Sequence, residues 1–389
     1  MTKKWSSRLT FFAFVVLMVG LGSNDSLRGI FSTIFQEHFS LTTTQLGLIV
    51  TASYIGNLVF LLVGGNLSTR FSKKCVLQVL ILIWVAALAL FAFTSNYTVL
   101  LIGMALALGS STLLNTTMNL ITPLLFATAP GFFVNFLFFT QEIGTSGSQY
   151  ILGSHADGFA FWQHTNLVLL ILGAVAFVLL LFCNVPEEAA DPADTPAQKG
   201  GYDWRIIVPY VLVFGFYFIA EHGVMNWMVA YGVDGLGLPQ ASAAKYLSVF
   251  FGGMMIGRLC LSPLVDKLGA LKSLAAFGGV SCVLYLIGSL GGAVTMPVWA
   301  ISGLSFSILY PTLVMSIRLY FPAQQVSGAA GTILSIASLA DILFNVGFGK
   351  LVDMAGYAVS IRVLPLSVLA FFIVFMLFTK FCKPTQKLK

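Results

Sequence analysis

The chain has 389 residues, 58% of them hydrophobic and only 9% charged, with a mean hydropathy of +0.93. A soluble domain carries about 25% charged residues, so a water-soluble globular protein is excluded. The net charge of +6 does not point to nucleic acid either. Lys3, Lys4 and Arg8 precede the first apolar run, Arg70, Lys73 and Lys74 follow the second, and Lys380, Lys383, Lys387 and Lys389 close the chain, which is the positive-inside bias of cytoplasmic loops and tails.

The apolar stretches continue over about twenty residues or more, which fits membrane-spanning helices rather than the period-two alternation of a barrel. Twelve spans are predicted, at approximately 10–35, 43–67, 74–94, 97–121, 131–154 and 164–184, then 205–233, 241–265, 272–292, 295–320, 327–350 and 358–381. The basic start followed by Phe11–Gly22 is read as the first span, because no small-residue cleavage site follows it. Residues 186–204 hold Glu187, Glu188, Asp191, Pro192, Asp194, Pro196 and a glycine pair; they form the one long polar stretch and read as a mobile cytoplasmic linker. The expected organisation is a six-helix bundle over 1–185, the linker over 186–204, and a second six-helix bundle over 205–389, with both termini cytoplasmic. Cys75, Cys183, Cys260, Cys282 and Cys382 show neither metal spacing nor a disulfide framework.

Four acids fall inside otherwise apolar segments: Asp25, Glu142, Glu221 and Asp341. A carboxylate at membrane depth costs about 2.5–3.5 kcal/mol on insertion scales and marks a functional site by default. In the first span, Asp25, Arg28 and Ser32 share a helical face, next to Asn24. Asp25 is either a group that binds and releases a proton or half of a permanent ion pair with Arg28. In the fourth span, Thr112, Asn115, Asn119 and Thr122 form a polar face. The fifth carries Asn135, Glu142 and Gln149 at successive sevens with Thr145 between them, and Gln141 and Ser148 on an adjacent strip. That stripe lines a solute path or staples helices together. In the seventh, Tyr217 and Glu221 share one face and His222 and Asn226 another, with Trp227 alongside. This is the mixture of apolar wall and placed polar groups found in small-ligand pockets. Trp227 stacks on a sugar or anchors the helix at the interface, and His222 is a candidate partner in proton transfer. Ser305, Ser307 and Tyr310 mark the tenth span, and Ser338, Asp341 and Asn345 the eleventh.

The halves repeat. Gly65 to Lys74 after the second span matches Ser262 to Gly269 after the eighth, at an offset of 197 residues. This lays Asp25 over His222 and the fifth span over the eleventh. These loops resemble the short signature of the major facilitator superfamily, Gly-x-x-x-Asp-Arg/Lys-x-Gly followed by basic residues. The second copy keeps Asp266, Lys267 and Gly269; the first has Thr69 at the Asp position and Ser72 at the Gly position. Asn24-Asp25, Ala220-Glu221 with Trp227, Ala243-Ala244 and Gly257-Arg258 resemble the fucose–galactose–hexose:proton symporter branch. The resemblance implies an all-α fold of twelve transmembrane helices in two pseudo-symmetric bundles, with solute held near the midplane between them. It also implies that Arg70, Lys73, Asp266 and Lys267 belong to a conformational loop. Members of the branch carry an acid in the fourth span, where this chain offers only Asn115 and Asn119.

Elsewhere, His155 and His164 read as solvated, Arg258 and Arg318 as snorkelling near cytoplasmic span ends, and Gly253/Gly257 and Gly144/Gly147 as permitting close helix contacts. No phosphate-binding loop, metal cluster or nucleophile–base spacing is present, so neither an ATP-driven pump nor an enzyme, and no cofactor, is expected. The expected function is secondary transport of a small polar, sugar-like solute by proton symport and alternating access, in a monomer within a bacterial inner membrane. Proton coupling falls to Asp25, Glu142, Glu221 and Asp341. Solute binding falls to Asn24, Arg28, Asn115, Asn119, Gln141, His222, Asn226, Trp227, Tyr310 and Asn345. A proton-driven exporter of drugs or metabolites and a non-transporting membrane sensor are the alternatives.

Overall fold

A computed structural model describes residues 3–126, 130–183, 185–186 and 202–384; within its helices the side chains of 3–6, 64–70, 130–132, 135, 266, 323, 324 and 327 lie outside the description. The acidic stretch from Glu187 to Asp194, the tail lysines Lys387 and Lys389, and the side chains of Arg70, Asn135 and Asp266 therefore fall outside the described residues.

In chain order the helices are α1 Lys3–Ile30, α2 Thr43–Arg70, α3 Lys73–Phe93, α4 Tyr97–Leu125, α5 Pro130–Ile151 and α6 Phe159–Leu181. There follow α7 Trp204–Ala230, α8 Gln240–Leu268, α9 Ala270–Leu290, α10 Met296–Leu319, α11 Ala323–Ala355 and α12 Tyr357–Phe381. Local chemistry sets several of their ends. The Asn96 side chain accepts from the Thr98 and Val99 amides to start α4, and that of Asp203 accepts from the Arg205 amide to start α7. Gly356, at φ 74°, turns the chain from α11 into α12.

Eleven helices among the described residues are long and apolar enough to cross a membrane. Of the twelve predicted spans, the one missing from that set is α5. It has 22 residues and is long enough to span; with the side chains of 130–132 and 135 outside the description its longest described run is 136–151, a run that also carries the polar Gln141, Glu142, Thr145, Ser148 and Gln149.

The chain divides into two compact units, Met1–Ala189 and Ala190–Lys389. Within the first, α1 packs on α5 and α6, α2 on α4, and α3 on α4 and α6. The second repeats this pairing six helices later: α7 on α11 and α12, α8 on α10, α9 on α10 and α12. Missing side chains permit the tightest of these contacts. A Cβ on Gly22 would collide with the Gln141 carbonyl, and one on Gly144 with the Val19 carbonyl, so α1 and α5 meet backbone to backbone. In the second unit a Cβ on Gly257 would strike Ser307 Oγ, which puts α8 equally close to α10. Gly147 has open space around it and takes no part in the α1–α5 contact.

Candidate functional site

In the first unit, the close α1–α5 contact and the packing of α1 on α4 gather the polar residues. Ser23 Oγ donates to the Gly144 carbonyl (3.3 Å) and Thr145 Oγ1 to the Gly22 carbonyl (3.2 Å), which fixes the α1–α5 register. Half-buried Asp25 then faces α4, where Ser111 Oγ donates to its Oδ2 at 3.0 Å. Its other oxygen is buried and meets no hydrogen-bond donor of a described residue. Arg28 follows one turn later and is 5% exposed. No approach within 4.0 Å joins it to Asp25 among the described residues, so the permanent ion pair that their spacing allows is not made. The guanidinium lies over the Tyr54 ring of α2 instead, 5.8 Å from its centroid.

Beside this lies an amide ladder. Asn119 Nδ2 donates to Asn115 Oδ1 and Asn115 Nδ2 to Gln141 Oε1, both at 2.6 Å, so α4 and α5 share one half-buried polar strip. Glu142 is half-buried on α5. Gln149 is fully buried, with neither amide atom bonded to a described residue. Asn24 turns away from this strip: its Oδ1 accepts from Trp84 Nε1 of α3 at 3.2 Å, with Trp84 wholly buried. The carbonyl that a solute would use is occupied in holding α1 to α3.

In the second unit the ionisable groups pair directly. His222 Nδ1 donates to Asp341 Oδ2 at 2.8 Å, bridging α7 and α11, with Asp341 2% exposed. The His222 ring stacks parallel to Phe218 at 5.4 Å. One residue earlier, Glu221 stands 4.0 Å from the Arg258 guanidinium of α8. Arg258 was expected near a cytoplasmic span end; it is drawn instead to a carboxylate within the bundle, because α8 approaches α10 closely at Gly257 and its next residue is left facing α7. Trp227 and Asn345 are also placed differently from their expected solute-facing roles. Both are fully buried, joined by Trp227 Nε1 donating to Asn345 Oδ1 at 2.9 Å, and the indole rests on Phe348 at 4.8 Å. They brace α7 against α11. Asn226 Nδ2 donates to the His222 carbonyl (2.8 Å) and is buried as well. Tyr310 stays half-buried among Phe214, Tyr217 and Phe218. None of the four acids is exposed: Asp341 is buried and the other three are partly so. No group of three or more His, Cys, Asp or Glu that could hold a metal occurs among the described residues.

Comparison with known proteins bears on what such a bundle does. The family model described as Major Facilitator Superfamily matches residues 10–343. The chain belongs to the major facilitator superfamily. It is therefore a multi-pass membrane transporter rather than an enzyme. Among curated relatives it is 24% identical over 333 residues to the L-fucose-proton symporter of Escherichia coli (strain K12), covering 74% of this chain and 75% of that one. It is 26% identical over 341 residues to a glucose/galactose transporter of Brucella abortus biovar 1 (strain 9-941), covering 82% and 81%. Its fold matches a crystal structure of a D-xylose-proton symporter with a TM-score of 0.78 at 16% identity, over 97% of this chain and 98% of that one.

The superfamily loop can now be read physically. Gly269 adopts φ 81° and turns α8 into α9, a conformation that favours glycine. Ser72 occupies the matching place in the first unit at φ −59° and caps α3, its side chain accepting from the Cys75 amide. A different turn thus explains the missing glycine. Of the loop cations, Lys73 is half-buried and Lys267 exposed. Lys74, read from the sequence only as one of the basic residues after the second span, donates to the carbonyls of Leu181 (3.0 Å) and Cys183 (2.8 Å) and so closes the C-terminal end of α6. Ser111 was missed, although it lies four residues before Asn115 and eight before Asn119, on their face.

Proposed function

We propose that this transporter imports a small polar solute of the sugar class together with protons, by alternating access. One observation carries the reading: the Asp25 carboxylate sits at membrane depth with a single hydroxyl donor and no cation in contact. A carboxylate so placed gains by taking up a proton, which removes the cost of keeping a charge out of water. Protonation of Asp25 then permits the loaded protein to change conformation. Glu142, Glu221 and Asp341 are the further candidates for coupling. Asn115, Asn119 and Gln141 in the first unit, and His222 and Tyr310 in the second, offer the donors and acceptors that hydroxyls require.

The relatives support this choice of solute and driving ion, one being a fucose-proton symporter and another a glucose/galactose transporter. The energetics suffice, since one proton moving down 100 mV supplies about 2.3 kcal/mol, equivalent to about a fifty-fold solute gradient. The polar strip of α4 and α5 favours import of a hydroxylated solute over export of hydrophobic cations. The basic ends of the chain support cytoplasmic termini, and we assign the protein to a bacterial inner membrane, working as a monomer built of two six-helix repeats joined by 186–204. In proteoliposomes made with the full chain, solute uptake should alkalinise a weakly buffered exterior. Vigorous uptake with a steady external pH refutes the coupling, and solute binding in detergent without counterflow refutes transport.

A further inference from the structure

We infer that the solute carries a carboxylate and that Arg28 is the group that receives it, an inference that rests on the transport reading above. A guanidinium stays charged at any accessible pH and presents five N–H donors in a planar fork. Burying one without a partner is costly, and half-buried Arg258 of the second unit avoids this with Glu221 at 4.0 Å. Arg28 does not. It is 5% exposed, its Nε is buried without an acceptor, and among the described residues it makes no hydrogen bond or ion pair. Its neighbour is the face of Tyr54, which attracts a cation but accepts none of the fork's in-plane hydrogens. The Nε–H is thus left without an acceptor among the described residues.

Charge balance decides what kind of acceptor. With Asp25 ionised, its charge offsets that of Arg28 through space along the same helix face. Once Asp25 takes a proton, that compensation is lost and the α1 face carries one uncompensated positive charge. A neutral sugar leaves it so, whereas one solute carboxylate restores neutrality with the bidentate geometry a guanidinium prefers. Proton and anion thus favour each other's binding, and reciprocally so. The ionisable groups on the elements packed around Asp25 include Arg28 on α1 itself, Tyr54 on α2, Glu142 on α5 and Tyr97 at the start of α4; α4 also contributes the Ser111 hydroxyl, and Arg8 of α1, Tyr150 of α5 and His164 of α6 are exposed. A phosphate ester, with a charge of about −1.5 to −2 near neutrality, overcompensates the single charge of Arg28. The fit is to a monocarboxylate such as a sugar acid.

The test uses the full chain in proteoliposomes and matched pairs of substrates: galactose with galacturonate, glucose with glucuronate, and glucose with glucose 6-phosphate. For at least one pair the acid should exchange with a kcat/KM about tenfold or more above its neutral sugar, and its uptake should follow a pH gradient while responding less than about twofold to an imposed membrane potential, as one proton with one anion requires. Arg28→Gln should lower the acid-to-neutral ratio at least about tenfold, and Arg28→Lys, which keeps the charge if the Gln variant does not fold, should retain part of it. A wild-type preference for the neutral sugar, or a ratio unmoved by either variant, overturns the inference and leaves sugar transport standing. A preference for the phosphate overturns the carboxylate. Exchange of none of these compounds counts against both readings.

Discussion

The two units solve the same electrostatic problem in opposite ways. Asp25 and His222 occupy matching places on the first helix of each unit, as do Asn24 and Glu221. In the second unit the described ionisable groups near these positions have partners on neighbouring helices, His222 with Asp341 of α11 and Glu221 with Arg258 of α8. In the first, Asn24 is neutral and committed to Trp84, while Asp25 and Arg28 share a face without touching. The second unit is internally partnered and braced; the first holds a carboxylate and a guanidinium that no described ionisable group pairs. The repeat therefore keeps the packing, with its α1–α5 and α7–α11 contacts, while the two copies differ in how their ionisable groups are partnered.

The sharpest way to break this contrast is at the two acids. Asp25→Asn should lower proton-driven accumulation by about a hundredfold or more, while solute counterflow, which needs no net proton movement, persists; external pH recorded during uptake gives the first quantity and isotope exchange the second. Asp341→Asn should lower accumulation by less than about tenfold. The reverse order would move the titrating site to the second unit.

The pairing in the second unit predicts a stability effect instead. Removing one partner of such a hydrogen bond leaves the other, buried group unsatisfied, which costs about 1–3 kcal/mol. His222→Ala should accordingly show a large drop in thermal stability in detergent, and adding Asp341→Asn should recover much of it. Strict additivity of the two would mean that the 2.8 Å contact contributes nothing. In the first unit the comparable loss should come from packing. Gly144→Val forces a side chain against the Val19 carbonyl and should cost about 1–3 kcal/mol. Gly147→Ala, three residues on and with open space around it, should be neutral or slightly stabilising.

Much of this architecture was legible in the sequence because a membrane makes it so: spans announce themselves by length and apolarity, and an acid within one announces a site. The loop repeat gave the correspondence of Asp25 with His222. What sequence could not supply is which way a side chain turns. Asn24, Trp227 and Asn345 share helices with true site candidates, yet a small rotation sends them to Trp84, to Asn345 and to Trp227 respectively. Arg258 was misread for the converse reason, since distance from a span end says nothing about a carboxylate on the next helix. The α5 span was drawn by length, and the polar stripe that makes it a candidate site is also what lowers its apolarity.

Trp227 offers the finest discrimination between these readings. Trp227→Phe keeps an aromatic ring against Phe348 and removes only the Nε1 hydrogen bond to Asn345. Interhelical hydrogen bonds in membranes are worth about 0.6 kcal/mol on average and at most about 1.7, so a small fall in unfolding temperature is expected. Since the indole is wholly buried, the KM for solute should change by less than about twofold. A rise of tenfold or more, with stability intact, would return Trp227 to the solute-stacking role that its position beside Glu221 and His222 first proposed, and would mean that α7 rotates during the transport cycle to bring that face out of the α7–α11 contact.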